Sequence, residues 1–299
     1  MTSIIDFLIH HLIGRVVNRA WRSNNFLNVS TLLHQRYQIA KVHELGRDNP
    51  VYLAYDKHQG IDVAIKENAK HDTAHRKQFE LEATILANLT HPGIPRGFDY
   101  FIEDEYQFLV MDYIKGINLL QLIQQRRPDT EEILNWAKQI CDILSYLHSH
   151  SPIIIHRDVE PSNIILTMDN EIFLVDFGFA KIYKPEEETA AAAKSKFPKS
   201  IRVNGRIITN DQMAKYEVPA VTDQRSDEYS LAATLYYLFT GTIPGDSMQR
   251  VFKETALAPI RSSRPDLPAS TEEAIFRALS IEPKRRFSDV ESFKSALGI

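Results

Sequence analysis

Two short apolar runs, Ile164-Ile165-Leu166 and Ile172-Phe173-Leu174-Val175, flank the triplet Met168-Asp169-Asn170, and this stretch constrains the chain more than any other. Each run is too short for a helix and is rich in branched and aromatic residues. The Asp-Asn between them is a turn signal, so the stretch predicts a buried hairpin. Asn163 stands just before the first strand and Asp176 just after the second, so closing the hairpin brings the two together. A carboxylate and an amide carbonyl are hard oxygen donors, suited to magnesium carrying a nucleotide's phosphates. Asp158, five residues before Asn163, is near enough to take a proton from an incoming hydroxyl.

These residues resemble the protein-kinase family through H-R-D-x-x-x-x-N at His156 to Asn163 and D-F-G at Asp176 to Gly178. The bacterial serine/threonine branch is the nearest in pattern. The resemblance implies an α+β, two-lobed fold: a small antiparallel β-sheet lobe with one helix over 35–114, and a large, mainly helical lobe over 115–299. Residues 1–34 form an N-terminal helical extension and linker before this domain. The implied cofactors are ATP and Mg2+, with Asn163 and Asp176 as metal ligands and Asp158 as the catalytic aspartate.

Upstream, Tyr37 to Leu45, Val51 to Tyr55 and Ile61 to Lys66 read as strands separated by turn residues. Lys66 closes V-A-I-K, matching the family lysine that pairs the nucleotide's phosphates and a helix glutamate. The helix predicted over Phe79 to Leu89 offers Glu82 as that partner, with Glu80 as competitor. By the same resemblance Val51 and Ala64 sandwich the adenine, Met111 lies at the back of the pocket, and Asp112, Tyr113 and Ile114 offer backbone bonds to the base. Asn118 stands where many relatives place a ribose-binding residue.

Two departures stand out. The phosphate loop reads Leu45-Gly46-Arg47-Asp48-Asn49-Pro50-Val51, with one glycine where the family carries three, and Pro50 removes a backbone donor. Leu45 and Gly46 remain the expected nucleotide contacts, with a weakened grip. The second departure is Glu160, where serine/threonine kinases place a lysine that stabilises the moving phosphoryl group. Loss of one preorganised donor typically costs ~3 kcal/mol in the transition state. Either Glu160 turns away onto a nearby cation and catalysis is slow, or the site binds nucleotide without turning it over.

The net charge of −4 gives no electrostatic argument for nucleic acid as a partner. The single cysteine, Cys141, excludes an intrachain disulfide and fits a reducing compartment. It shares a helical stripe with Ile133, Ala137, Ile140, Leu144 and Leu147, and Asp129 with Glu132 makes a capping-box start for that helix. Ile4 to Trp21 is amphipathic at helical spacing. Its charges keep it short of a membrane span, and it lacks a signal peptide's pattern. Residues 4–22 therefore suit packing on the catalytic domain or a partner chain, or lying on an anionic membrane surface. The expected location is cytoplasmic, with membrane association through that helix as the variant. Asn24 to Ser30 reads as a linker.

Beyond Asp176, Lys181 to Lys215 is long, low in hydrophobicity and basic from Lys194 to Arg206, in the position of an activation segment. Thr189, Ser195, Ser200 and Thr209 are candidate phosphosites, with Arg157 the usual type of partner for such a phosphate. The family's A-P-E landmark has only Ala214-Lys215-Tyr216-Glu217 as a match, which leaves its docking against Arg286 open. Asp227 to Thr240 predicts a helix buried on every side, ended by Gly241, and the kinase resemblance implies that Asp227 holds the backbone at His156-Arg157. The expected activity is ATP- and Mg-dependent phosphoryl transfer to Ser/Thr hydroxyls of proteins, including the chain itself. The alternatives are a nucleotide-binding pseudokinase that acts as a scaffold, and a small-molecule kinase of similar fold.

Overall fold

The computed structural model describes residues 22–23, 26–43, 49–69, 72–183, 200–203, 206–209, 223–244 and 257–299. The helix read over residues 4–21, the phosphate-loop residues Leu45 and Gly46, candidate phosphosites Thr189 and Ser195, and Ala214 to Glu217 lie outside them. Contacts divide the chain into two compact units, Met1–Lys115 and Gly116–Ile299.

The first unit is built on a six-stranded antiparallel sheet in the order β3-β4-β5-β6-β8-β7. Its strands are β3 (Leu32–Leu33), β4 (Tyr37–His43), β5 (Val51–Asp56), β6 (Ile61–Asn68), β7 (Gly97–Glu103) and β8 (Tyr106–Asp112). Period-two alternation gives the sheet two distinct faces. One face packs Tyr37, Ile39, Tyr52, Ala54, Val63, Ile65, Phe108 and Val110 into a closed core. Phe101 stacks on Phe108 within it, ring centroids 5.2 Å apart. Two further short strands, β1 (Arg22–Ser23) and β2 (Phe26–Leu27), pair with each other. Leu27 is buried in the same core, and its backbone N–H donates to the Tyr52 hydroxyl at 3.3 Å. Part of the stretch read as a linker is thus core, because Leu27 supplies apolar surface that the sheet covers.

Helix α1 (Thr73–Asn88) begins six residues before the predicted Phe79. Asp72 sets that start: its side chain accepts the His75 N–H at 3.1 Å, which satisfies an otherwise orphaned donor of the first turn. The buried stripe Phe79, Glu82, Ala83, Ile85 and Leu86 begins a turn and a half later, so the apolar pattern alone misses the polar opening turns.

The second unit is mainly helical: α2 (Leu119–Gln125), α3 (Thr130–His148), α4 (Arg225–Thr240), α5 (Ala269–Ala278) and α6 (Val290–Leu297). The Asp129–Glu132 capping box is formed in both directions, and Trp136, Ile140, Cys141, Leu144 and Leu147 of α3 are buried. Burial pushes the Cys141 thiol pKa up, which makes it inert core. Helix α4 buries Asp227, Leu231, Leu235 and Phe239 and ends at Gly241, whose φ of 72° is the left-handed value a C-cap glycine supplies without strain.

A small sheet runs β12-β11-β9, with β9 (Gly116–Asn118), β11 (Ile164–Thr167) and β12 (Ile172–Leu174). The predicted hairpin is present, in the register Ile164↔Leu174, Ile165↔Phe173 and Leu166↔Ile172. Strand β10 (Ile154–Ile155) pairs with β13 (Lys181–Ile182), and β14 (Ser200–Val203) pairs with β15 (Arg206–Thr209).

Candidate active site

In the first unit, strand pairing sets which side chains share a face. Val51 pairs with Lys66, Ala64 with Met111, and Lys66 with Leu109. The alternation therefore puts Val51, Ala64, Lys66 and Met111 together on the face opposite the aromatic core. Lys66 is 4% exposed and Glu82 of α1 is 1% exposed. The Lys66 ammonium lies 2.7 and 2.9 Å from the two Glu82 oxygens, a paired charge at a depth where an unpaired one would be prohibitive. Glu80, the competitor, is exposed and 3.5 Å from the Tyr100 hydroxyl. Asp112 ends β8; its N–H donates to the Arg96 carbonyl at 3.0 Å, and its carboxylate takes the Arg96 guanidinium at 2.9 and 3.0 Å. Tyr113 and Ile114 follow β8 in the irregular backbone. Asn49 and Pro50 are described beyond the phosphate loop, where the Pro50 carbonyl accepts the Glu67 N–H at 2.9 Å.

In the second unit the hairpin converges its polar ends. The Val175 N–H donates to the Asn163 carbonyl at 2.9 Å, extending the β11–β12 ladder by one step so that Asp176 follows directly beside Asn163. The Asn163 amide nitrogen donates to the Asp158 carboxylate at 2.7 Å and to its backbone carbonyl at 3.1 Å. The Asn163 side-chain oxygen Oδ1 and the neighbouring Asp176 carboxylate are hard-oxygen donors of the kind that could hold Mg2+. The Asp176 carboxylate also accepts the Gly178 N–H at 3.0 Å from a left-handed backbone, φ 64°.

The backbone at His156 and Arg157 is held by Asp227 on α4. Its carboxylate accepts the His156 N–H at 2.9 Å, the Arg157 N–H at 2.6 Å and a contact from His148 Nε2 at 2.9 Å. His148 was not singled out from the sequence; its position on the last turn of α3, next to buried Leu147, was the available signal. Arg157 has φ 67°, a strained value for a bulky residue, and its guanidinium donates to the Phe179 carbonyl at 2.7 Å. His156 is fully buried and meets the Phe177 ring edge-on at 4.7 Å. It is a packing strut between the two motifs. Thr234 of α4 completes the support by donating to the Val159 carbonyl at 2.8 Å.

Asn118 is a helix cap: its side-chain oxygen accepts the Gln121 N–H at 2.8 Å to start α2. Glu160 has no ion partner among the described residues; its carboxylate accepts a hydrogen bond from the Ser162 hydroxyl. A cavity of about 500 Å³ in this unit is lined by Asp158, Glu160 and Ser162 together with Tyr237, Ile243 and Pro244. Arg286 donates to the carbonyls of Arg225, Ser280 and Ile281 and lies 4.7 Å over the Tyr229 ring.

Among the described residues no helix is long and apolar enough to cross a membrane. No group of three or more His, Cys, Asp or Glu residues that could hold a metal occurs among them.

Comparison with known proteins adds to this geometry. The protein kinase domain family matches residues 41–296. The chain is similar to serine/threonine-protein kinase PknD of Chlamydia trachomatis serovar L2b (strain UCH-1/proctitis), 29% identical over 293 residues, covering 88% of this chain and 31% of that protein. It is similar also to serine/threonine-protein kinase PknD of Chlamydia abortus (strain DSM 27085 / S26/3), 27% identical, covering 87% of this chain and 30% of the relative. The chain therefore spans about a third of the length of the curated relatives it matches. Among solved structures, the PpkA-294 apo form superposes with a TM-score of 0.71 at 21% identity, covering 92% of this chain and 100% of that one.

Proposed function

The chain belongs to the protein kinase domain family, and from that premise we propose that it transfers the γ-phosphoryl group of ATP to serine or threonine hydroxyls of proteins, its own included. One observation carries the reading: the Asn163 amide holds the Asp158 carboxylate at 2.7 Å, while the next step of the same hairpin delivers Asp176. A single turn and two strands thus bring Asp158, Asn163 and Asp176 close in space, which supports reading them as a base and a hard-oxygen pair.

Asp158 orients the acceptor hydroxyl and takes its proton as the oxygen bonds to phosphorus and the bond to ADP breaks. Asn163 and Asp176 would hold Mg2+, which supplies charge neutralisation at the phosphate oxygens. Lys66, locked by Glu82, presents its ammonium to the phosphates, and Val51, Ala64 and Met111 offer an apolar face to the base. Leu45 and Gly46, with the backbone of Asp112, Tyr113 and Ile114, complete the proposed nucleotide contacts. The names of the Chlamydia relatives support hydroxyl acceptors of the Ser/Thr class.

The test is incorporation of labelled phosphate from ATP into the protein and into a generic basic protein, with and without Mg2+, read by mass spectrometry. Incorporation should require the metal and vanish in Asp158→Asn. Equal signal from that variant would overturn the transfer reading and leave a nucleotide-binding scaffold.

A further inference from the structure

Glu160 is placed by the same turn that places the proposed base. The Asn163 N–H donates to the Glu160 carbonyl at 2.9 Å while the Asn163 side chain holds Asp158 at 2.7 Å. Both acids line the one cavity, whose remaining charged lining residue is Arg157. Among the described lining residues two carboxylates stand against one guanidinium, and Glu160 has only a neutral hydroxyl, that of Ser162, as its bonded partner. The rest of the lining, including Tyr237, Ile243 and Pro244, suits the methylene stems of lysine or arginine, whose charged ends reach past apolar surface to a carboxylate.

On the transfer reading above, we infer that Glu160 is a specificity-determining residue: its carboxylate in the cavity beside Asp158 selects acceptor hydroxyls flanked by lysine or arginine. The sign reversal at this position is then a recognition element as well as the loss of a phosphate-stabilising cation. The chain's own sequence contains both extremes. Ser195 lies between Lys194 and Lys196, whereas Thr189 follows Glu186, Glu187 and Glu188.

The test uses two synthetic peptides: A-A-A-A-K-S-K-F-P-K, the sequence of residues 190–199, and the same peptide with glutamates in place of the two lysines around the serine. The full chain and its Glu160→Gln and Glu160→Lys variants are compared by the ratio of kcat/KM for the two peptides, in which any common change in phosphoryl transfer cancels. The native chain should favour the lysine peptide by about tenfold at low salt, with the preference shrinking as ionic strength rises. Glu160→Gln should bring the ratio near unity, and Glu160→Lys should invert it. An unchanged ratio in both variants, with transfer intact, overturns the inference and leaves the kinase reading standing. Binding of the fluorescently labelled peptides to the same proteins, followed by anisotropy, separates the other failure. No transfer by the native chain, with tighter binding of the lysine peptide that Glu160→Lys reverses, sinks catalysis and retains the selection. Equal binding of both peptides by an inactive chain overturns both.

Discussion

The Lys66 ammonium sits 2.7 Å from one Glu82 oxygen and 2.9 Å from the other, with both side chains withdrawn from solvent. Loss of one partner of a buried ion pair costs about 3–5 kcal/mol. Lys66→Met should therefore lower stability as well as abolish phosphate incorporation. The double variant Lys66→Met/Glu82→Leu should recover much of the stability, because an apolar pair of similar volume leaves no charge to bury there. Its incorporation should stay absent. Thermal melts alongside the labelling assay check this, and a double variant that labels itself would remove Lys66 from the proposed chemistry.

Asp227 is fully buried and its carboxylate takes two backbone N–H groups and His148. Those bonds hold Arg157 at φ 67°, a conformation of the kind that costs on the order of 1–3 kcal/mol and persists only when its surroundings enforce it. In Asp227→Asn one N–H donor meets an amide nitrogen in place of an oxygen. The expected loss is about 2–4 kcal/mol, from a charged acceptor removed and a donor left unsatisfied. A guanidinium chloride titration should show a lower midpoint, with activity falling faster than stability because Asp158 follows the strained residue. A midpoint unchanged from the native chain would mean that something other than Asp227 fixes this backbone.

What could be read from the sequence follows the range of the interaction concerned. The hairpin at Ile164–Leu174 and the capping box at Asp129 are local, so their residues announced them. Lys66 and Glu82 are sixteen residues apart and were paired only through a family pattern; the bond itself depends on how α1 lies against β6. The start of α1 was missed because Asp72 opens it with two polar, exposed turns, where hydrophobic periodicity has no signal. Leu27 and His148 act through tertiary contacts, with Tyr52 and Asp227 respectively, whose partners lie far away in sequence. A cation partner was one of two alternatives read for Glu160; among the described residues its bonded partner is the Ser162 hydroxyl.

Gly116 begins β9 and pairs with Thr167 of β11. A Cβ built there would lie 2.4 Å from the Leu166 carbonyl oxygen and 2.6 Å from Ile165 Cγ2. The first of these is backbone and cannot swing aside, so Gly116→Ala should push β9 off the hairpin that carries Asn163 and Asp176. A cost of roughly 1–3 kcal/mol is expected, as for other overpacking substitutions. Hydrogen exchange should quicken at Ile165 to Thr167, and nucleotide-dependent activity should fall with it. Unaltered protection there would show that the sheet can absorb a methyl group.

Glu228, beside Asp227 on α4, accepts the Phe287 N–H at 3.0 Å through one oxygen, while its other oxygen is buried with no bonded partner. Burial, opposed by that hydrogen bond and by Arg286, Arg277 and Arg225, pushes its pKa from the ordinary 4.5 up to about 7. In the pH range between those values the folded protein holds a proton that the unfolded chain releases. Stability from this group is therefore complete below about pH 4.5 and lost as pH climbs through 7. A change of that size corresponds to roughly 3 kcal/mol across the window. Glu228→Gln, which keeps a carbonyl for Phe287 and cannot ionise, should flatten the slope and be relatively more stable at pH 8 than at pH 5. Denaturation midpoints of both proteins between those limits decide it. Parallel curves would mean that the three arginines compensate the ionised carboxylate fully, making Glu228 a charged anchor for the loop at Phe287.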